Sequence, residues 1–311
     1  MYHVLESQQF DVTWLEGTFF PLAEQMAEVA KNGGNNDLHG RRMATFFFEP
    51  STRTRMSFEV AMHMLGGRVV FSTENAQRFS SVAKGETLAD TIEVVDQYFP
   101  DVIVLRHPDV GSAKIAADVS RRAHIINAGD GRGQHPTQAL LDLFTIRMKF
   151  PNINGIQVAM VGDLKNGRTI RSLAYLLGKY DNVRIFFVAP PSLSVGDDIK
   201  EYLTRHRVGF SEVGDIHDIA DCVHVIYQTR TQTERGGNMN GDGSRFRVDS
   251  SVLNLMALNS IIMHPMPINR SNLAETEIDP IVDNDPRAVY KRLQIGAGLS
   301  TRMALLKLLL S

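Results

Sequence analysis

The densest run of chemically capable side chains is Ser51-Thr52-Arg53-Thr54-Arg55, which follows the apolar stretch Ala44 to Phe48 and Pro50. A strand that stops at a proline and restarts as a helix leaves free N–H groups in its first turn. Those groups, with the helix dipole, attract an anion. Ser51 stands where an N-cap belongs, its hydroxyl placed to accept from a first-turn N–H. Thr52 and Thr54 add hydroxyl donors, and Arg53 and Arg55 add forked cationic ones. The pattern predicts a phosphate or similar polyanion held at a helix start. A capped helix with two solvated arginines shares the same local pattern, so the run alone leaves both readings open.

Other candidate residues fall at similar junctions. His-Pro pairs occur in Arg106-His107-Pro108, Gln134-His135-Pro136 and Met263-His264-Pro265. Proline disfavours the helical state in the residue before it. Two of the pairs end apolar strands and the third opens a helix. Ligands of open parallel sheets bind at the carboxyl ends of the strands, so Arg106, His135 and His264 stand where a site belongs. Gln138 lies one turn after His135 on the same face. Each histidine taken alone is more often structural than catalytic. Val161 to Arg168 follows a strand and opens a helix, but lacks the G-x-G-x-x-G spacing, which excludes a dinucleotide site. Arg168 remains available there to a carboxylate. Arg230 and Gln232 alternate after another strand and point the same way in extended chain, though an ordinary solvated loop reads the same. No H-E-x-x-H, carboxylate triplet or Cys/His spacing is present, so neither a metal nor another cofactor is expected. The surplus of Arg, Thr, Ser, His and Gln points to positioning and charge stabilisation rather than a covalent nucleophile.

The elements that must position these groups alternate in type. A helical spacing over 12–32 is followed by strand 44–48, helix 51–65, strand 69–71, a loop over 72–85, helix 86–98, strand 102–105, helix 111–121 and strand 124–127. A long helix, 136–149, opens on Pro136. The alternation then restarts with strand 157–161, helix 167–179, strand 183–188, helix 197–206, a weak strand near 208–213 and strand 223–227. Residues 236–245, rich in glycine and polar residues, read as a mobile loop. Helix 249–257, strand 261–264 and a last helix near 287–310 complete the chain. The fold class is therefore α/β, with two domains, each a parallel sheet flanked by helices.

Composition narrows the partners. With 311 residues, 43% hydrophobic and 22% charged, the chain has ample core for two domains. A formal charge of −2 gives no support for nucleic acid or an acidic membrane as partner, so any anion site is built locally. The one cysteine, Cys222, excludes an intramolecular disulfide and begins an apolar run, which predicts a buried, inert thiol. Met1 to Phe10 shows no signal-peptide pattern, and no segment reads as a membrane span, so the cytoplasm is the default expectation.

Taken together, the Ser51–Arg55 run, Arg106-His107-Pro108, His135-Pro136-Thr137-Gln138 and His264-Pro265-Met266-Pro267 resemble the aspartate/ornithine carbamoyltransferase family. Ser80 to Thr87, Asp163 to Arg168 and Thr229 to Gln232 narrow the resemblance to its aspartate-specific catalytic chains, from about residue 44 to the C-terminus. The resemblance implies carbamoyl phosphate and L-aspartate as substrates, N-carbamoyl-L-aspartate and phosphate as products, and a place early in pyrimidine synthesis. It implies a carbamoyl phosphate-binding domain of residues 1–135 and 287–311, a linking helix 136–149 and an aspartate-binding domain 150–286, with the active site in the cleft between them. It implies that Ser51, Thr52, Arg53 and Thr54 hold the phosphate and that Thr54, Arg106 and His135 bond the carbonyl oxygen. Gln138 and the backbone of Met266 and Pro267 fix the carbamoyl NH2, and Arg168 and Arg230 grip the aspartate carboxylates with Gln232 and Lys84 assisting. It further implies a homotrimer with shared active sites, in which a neighbouring subunit supplies Ser80 and Lys84. Glu49, Arg168, Glu234 and Arg235 match family residues that link the domains on closure, and binding is expected to be ordered, carbamoyl phosphate first.

Departures from the family pattern are Ala83 in place of a second lysine, Arg270 displaced by Ile268-Asn269, and the glycine-rich 236–245 segment. These bear on cooperativity more than on catalysis. Partnership with regulatory chains or a dihydroorotase stays open. Two competing readings are a carbamoyltransferase for another amine such as ornithine, and an inactive trimeric scaffold. His-Pro-Met-Pro, with Arg168 and Arg230, suits a dicarboxylate better than a diamine.

Overall fold

Strands whose two faces are both apolar build each half of the chain. The structure is a computed structural model that describes residues 2–231, 243–273 and 276–311. The chain divides into two compact units, Met1–Leu141 with Gly296–Ser311, and Asp142–Ile295.

In the first unit, α1 (Val12–Trp14) opens on Asp11, whose carboxylate accepts from the Trp14 N–H at 2.7 Å. It passes through a wider turn at Leu15–Phe19 into α2 (Phe20–Lys31). Then β1 (Arg42–Phe47), α3 (Thr52–Met64), β2 (Arg68–Glu74), α4 (Ala76–Phe79), α5 (Leu88–Asp96), β3 (Val102–His107), α6 (Ser112–Val119) and β4 (His124–Asp130) follow in turn. The strands form a four-stranded parallel sheet in the order β2-β1-β3-β4. Ala44, Phe46, Phe48, Ile103, Leu105 and Ile125 pack on one face against Ile92 of α5 and Ala116 of α6. The alternate residues Met43, Phe47, Val102 and Val104 are buried too, so both faces are covered and the strands read as unbroken apolar runs. Each large side chain buried this way contributes about 1.5–3 kcal/mol.

The 72–85 segment differs from its expectation as a loop. The strand β2 runs on to Glu74, and α4 and a tight turn at Ser81–Lys84 fill the rest. β2 is an edge strand with an exposed face, so its polar residues Ser72, Thr73 and Glu74 meet solvent without disturbing the ladder. Polarity there marked the sheet edge, not the end of the strand.

The chain enters the second unit along α7 (Pro136–Lys149). There β5 (Gln157–Val161), α8 (Arg168–Leu177), β6 (Arg184–Val188), α9 (Asp197–Arg205), β7 (Gly209–Val213), β8 (Val225–Gln228), α10 (Ser250–Leu255) and β9 (Ile261–Met263) follow. The five-stranded parallel sheet has the order β7-β6-β5-β8-β9. Ala159, Val161, Phe186, Val188, Ile226 and Ile262 share one core cluster on it.

The last helix, α11 (Ile295–Leu310), returns the chain to the first unit. Contrary to the sequence expectation, Tyr290–Leu310 is long and apolar enough to cross a membrane. Its apolar residues Met303, Leu305 and Leu306 are buried in the protein, Lys307 pairs with Asp37 at 2.5 Å, and Arg302 lies 5.2 Å from the Phe58 ring centre. Those contacts make it a core helix. Cys222 also departs from expectation, because it is exposed. The apolar run begins in the turn ahead of β8, outside the sheet. Partial desolvation and the neighbouring Asp221 push its thiol pKa up, which keeps it a poor nucleophile.

Candidate active site

In each unit the candidate residues gather at the carboxyl ends of adjacent parallel strands, where turns leave backbone donors exposed. The register of the first sheet sets one group. Phe47, the last residue of β1, lies opposite Arg106 on β3 and Glu74 on β2. The Phe48 N–H then donates to the Arg106 carbonyl at 2.8 Å, which brings the Ser51 turn beside the end of β3.

Ser51 is the N-cap residue of α3, but its hydroxyl makes no capping bond. Glu74 instead reaches the N-cap residue itself. Its carboxylate accepts from the Ser51 N–H at 2.8 Å, stands 3.5 Å from the Thr52 hydroxyl, and pairs with Arg55 at 3.5 Å. The β1–β2 register delivers this carboxylate to the Ser51 N–H. A negative charge thus already stands beside the start of α3. Arg53 is exposed and Thr54 is buried in the same first turn.

Arg106 has a mostly buried side chain that pairs with Glu49 at 3.4 Å and donates to the Ala128 carbonyl at 3.4 Å. Its neighbour His107 is tied into the following turn, where its Nδ1 accepts from the Asp109 N–H at 3.1 Å and lies 2.9 Å from the Ser112 hydroxyl. Burial lowers the His107 pKa. His107 is thus held as a structural residue of this turn. His135 is buried ahead of α7, with its carbonyl accepting from the Gln138 N–H at 3.0 Å and its Nδ1 3.4 Å from the Thr137 hydroxyl. Gln138 is buried within the first turn of α7. Gly131 holds the His135 loop against the Arg106 loop. Its φ is +47°, and a Cβ there would come within 2.3 Å of the Pro108 carbonyl oxygen.

Ser80 and Lys84 lie on the segment beyond β2. The Ser80 hydroxyl donates to the Ala76 carbonyl at 2.6 Å and accepts from the Val82 N–H at 3.3 Å, which caps the Ser81–Lys84 turn. Lys84 is exposed at its end.

The second unit gathers the other group. Arg168 is the first residue of α8 and is buried. Arg230 follows β8, the neighbour of β5, and its Nη1 donates to the Thr231 carbonyl at 3.3 Å. Gly162 lets the two turns meet. Its φ is +113°, and a Cβ would sit 2.4 Å from the Thr229 carbonyl oxygen. Thr229 binds back to the Val161 carbonyl through its N–H at 2.8 Å and its hydroxyl at 3.0 Å. The Asp163 carboxylate accepts from the Asn166 N–H at 3.1 Å and from its side-chain amide at 3.0 Å, fixing the loop into α8. Gln232, Glu234 and Arg235 lie outside the described residues.

At the end of β9, Met266 and Pro267 sit in a turn whose backbone is fixed by His264. Both ring nitrogens of His264 are engaged, Nδ1 with the Met266 N–H at 2.8 Å and Nε2 with Glu277 at 2.9 Å. His264 is therefore a support for this turn rather than a ligand-facing group. Sequence reasoning missed Glu74 and Glu277, because nothing in their local sequence marks them; only the fold brings them to their partners. No group of three or more metal-ligating side chains occurs among the described residues.

Chemically, the first group offers backbone N–H, hydroxyl and guanidinium donors to a phosphate ester. The second offers two guanidinium groups to carboxylates. Residues 2–148 match the family profile "Aspartate/ornithine carbamoyltransferase, carbamoyl-P binding domain", and residues 154–309 match its "Asp/Orn binding domain". The chain is 50% identical over 312 residues to the chloroplastic aspartate carbamoyltransferase 1 of Pisum sativum, covering 99% of this chain and 78% of that one. It is 46% identical over 277 residues to the aspartate carbamoyltransferase catalytic subunit of Methanocaldococcus jannaschii, covering 88% and 86%. The crystal structure of aspartate transcarbamoylase from Trypanosoma cruzi in complex with N-(phosphonacetyl)-L-aspartic acid superposes with a TM-score of 0.91 at 37% identity, covering 99% and 96%.

These names correct the cytoplasmic expectation. The plant relatives, that of Pisum sativum among them, are named chloroplastic, so the cytoplasm does not stand as the default. The residues of a folded core serve equally in either compartment, so the core sequence carried no information on location. Over both of its units, the chain belongs to the aspartate/ornithine carbamoyltransferase family.

Proposed function

We propose that this chain transfers the carbamoyl group of carbamoyl phosphate to the α-amine of L-aspartate, giving N-carbamoyl-L-aspartate and phosphate, a reaction that serves pyrimidine synthesis. The observation that carries this is the sheet register, which sets the end of β3, with Arg106, beside the turn that leads into Ser51, and sets the neighbouring strands β5 and β8, whose following turns carry Arg168 and Arg230, side by side in the second unit. The charges of the substrates, a phosphate on one and two carboxylates on the other, match those two groups.

Ser51, Thr52, Arg53 and Thr54 hold the phosphate at the start of α3, and Glu74 gives up the Ser51 N–H as it arrives. Thr54, Arg106 and His135 donate to the carbonyl oxygen. That oxygen gains charge as the amine adds, so these donors bind the transition state more strongly than the substrate. Gln138 and the carbonyls of Met266 and Pro267 fix the carbamoyl NH2. Arg168 and Arg230 grip the carboxylates of aspartate, assisted by Gln232 and Lys84. The new N–C bond forms as the C–O bond to phosphate breaks. The electron pair leaves with the phosphate oxygen, and the departing phosphate takes the amine proton.

The active assembly is a homotrimer in which Ser80 and Lys84 serve the neighbouring copy. The exposed apolar residues Val70 and Phe71 on edge strand β2, and Phe79, next to Ser80 in sequence, support this, because they are apolar area that a second copy would cover. Sedimentation should give about three times the 34.7 kDa chain mass.

The purified chain, given carbamoyl phosphate with either aspartate or ornithine, should yield N-carbamoyl-aspartate and no citrulline. Arg53→Ala should lower the rate about 100-fold or more, since it removes a charged phosphate contact. Citrulline as product, or no product with either amine, would overturn the assignment.

A further inference from the structure

We infer that Glu277, acting through His264, sets the backbone of Met266 and Pro267 in the form that receives the carbamoyl NH2. This rests on the role proposed above for those two carbonyls. Met266 is held at φ +58°, a left-handed conformation that residues with side chains seldom adopt and that persists only where neighbours enforce it. The enforcing contact is the Met266 N–H, which donates to His264 Nδ1 at 2.8 Å. A backbone N–H can only donate, so Nδ1 is the acceptor and the proton of the neutral ring is on Nε2.

That proton points at Glu277. Nε2 lies 2.9 Å from the Glu277 carboxylate, and the two side chains are only 1% and 6% exposed. The same carboxylate accepts from the Asn269 N–H at 3.2 Å and 3.3 Å. One buried group therefore holds the turn at both ends, at His264 and at Asn269. The frame continues behind it. The His264 N–H donates to Gln294 at 2.9 Å, the Gln294 amide donates to Asp142 at 2.6 Å, and the Tyr227 hydroxyl donates to the other Asp142 oxygen at 2.6 Å.

Without Glu277 the Nε2–H loses its acceptor in a dry site, where an unmade hydrogen bond is costly. The ring is then free to turn or to move its proton to Nδ1, which would set a donor against the Met266 N–H. Met266 relaxes out of the left-handed region and its carbonyl swings away. The loss should fall on recognition of the NH2 and spare the phosphate cradle. Glu277 is thus a positioning residue for carbamoyl specificity.

The test compares carbamoyl phosphate with acetyl phosphate, in which a methyl replaces the NH2, and with inorganic phosphate. With saturating aspartate, Glu277→Ala should raise the KM for carbamoyl phosphate and lower kcat, with kcat/KM falling more than about tenfold. The inhibition constants of acetyl phosphate and inorganic phosphate should stay within about twofold, so the preference for carbamoyl over acetyl collapses. Glu277→Gln keeps an oxygen that accepts from Nε2–H and should restore most of that preference. An unchanged carbamoyl-to-acetyl ratio in Glu277→Ala, or an equal loss for all three ligands, overturns the inference. If Glu277→Ala does not fold, Glu277→Asp, whose shorter side chain withdraws the carboxylate from Nε2, provides the same comparison. A wild-type protein that forms no N-carbamoyl-aspartate would instead sink the function itself, so the two failures are distinguishable.

Discussion

Glu74 places its carboxylate on the Ser51 N–H and against Arg55, beside the turn proposed to hold the phosphate. On that proposal the arriving phosphate meets a like charge at a helix start, which opposes it. Glu74→Gln should therefore tighten inorganic phosphate by about threefold or more in titration calorimetry. Weaker binding would mean that Glu74 supports the cradle instead of opposing the phosphate. At this scale the sequence was legible where donors cluster locally: Ser51 to Thr54, Arg106, His135, Arg168 and Arg230 all stand at strand ends or helix starts. Glu74 and Glu277 were not legible, because their partners lie 23 and 13 residues away and the contacts depend on strand pairing and loop closure. The Ser51 cap was misread for the same reason. The serine stands at the cap position but makes no capping bond, and a carboxylate from the neighbouring strand holds its N–H.

The turns that present these residues are held by close backbone approaches. At Gly162 any side chain would strike the Thr229 carbonyl oxygen, and the φ of +113° is itself unfavourable for other residues. Gly162→Ala should force the Thr229–Arg230 turn away from the start of α8. The KM for aspartate should rise about tenfold or more while the KM for carbamoyl phosphate changes little, as steady-state kinetics would show. A matching rise for both substrates would indicate general damage instead. Most elements were readable, because strands buried on both faces leave unbroken apolar runs and Gly or Pro marks their ends. α7 and β5 match their expected ranges, 136–149 and 157–161. β2 was cut short because an exposed edge strand carries the residues of a loop. The strand orders β2-β1-β3-β4 and β7-β6-β5-β8-β9 were out of reach, since neither periodicity nor composition encodes which strands are neighbours.

For the whole molecule, pH should act on stability through two half-buried histidines, His3 and His107. Burial lowers the pKa of His3 and His107 below the ordinary 6.5. Between those lowered values and 6.5 the unfolded chain binds protons that the folded chain does not, so stability rises with pH there. The contribution is complete above about pH 6.5 and is lost as the pH falls towards the folded values. The melting temperature should drop on acidification from about pH 7.5 to 5.5, and His107→Gln should flatten part of that slope. A melting temperature that holds or rises would contradict this. The first unit has one further property that follows from its make-up. It is assembled from Met1–Leu141 and Gly296–Ser311, the body of α11, with all of Asp142–Ile295 between them in sequence. As a ribosome releases the polypeptide, the aspartate-gripping lobe is contiguous and can close while its companion still lacks a core helix. The phosphate cradle is therefore the last part to mature, and a nascent chain stalled before residue 296 should bind chaperones through the uncovered apolar seat of that helix.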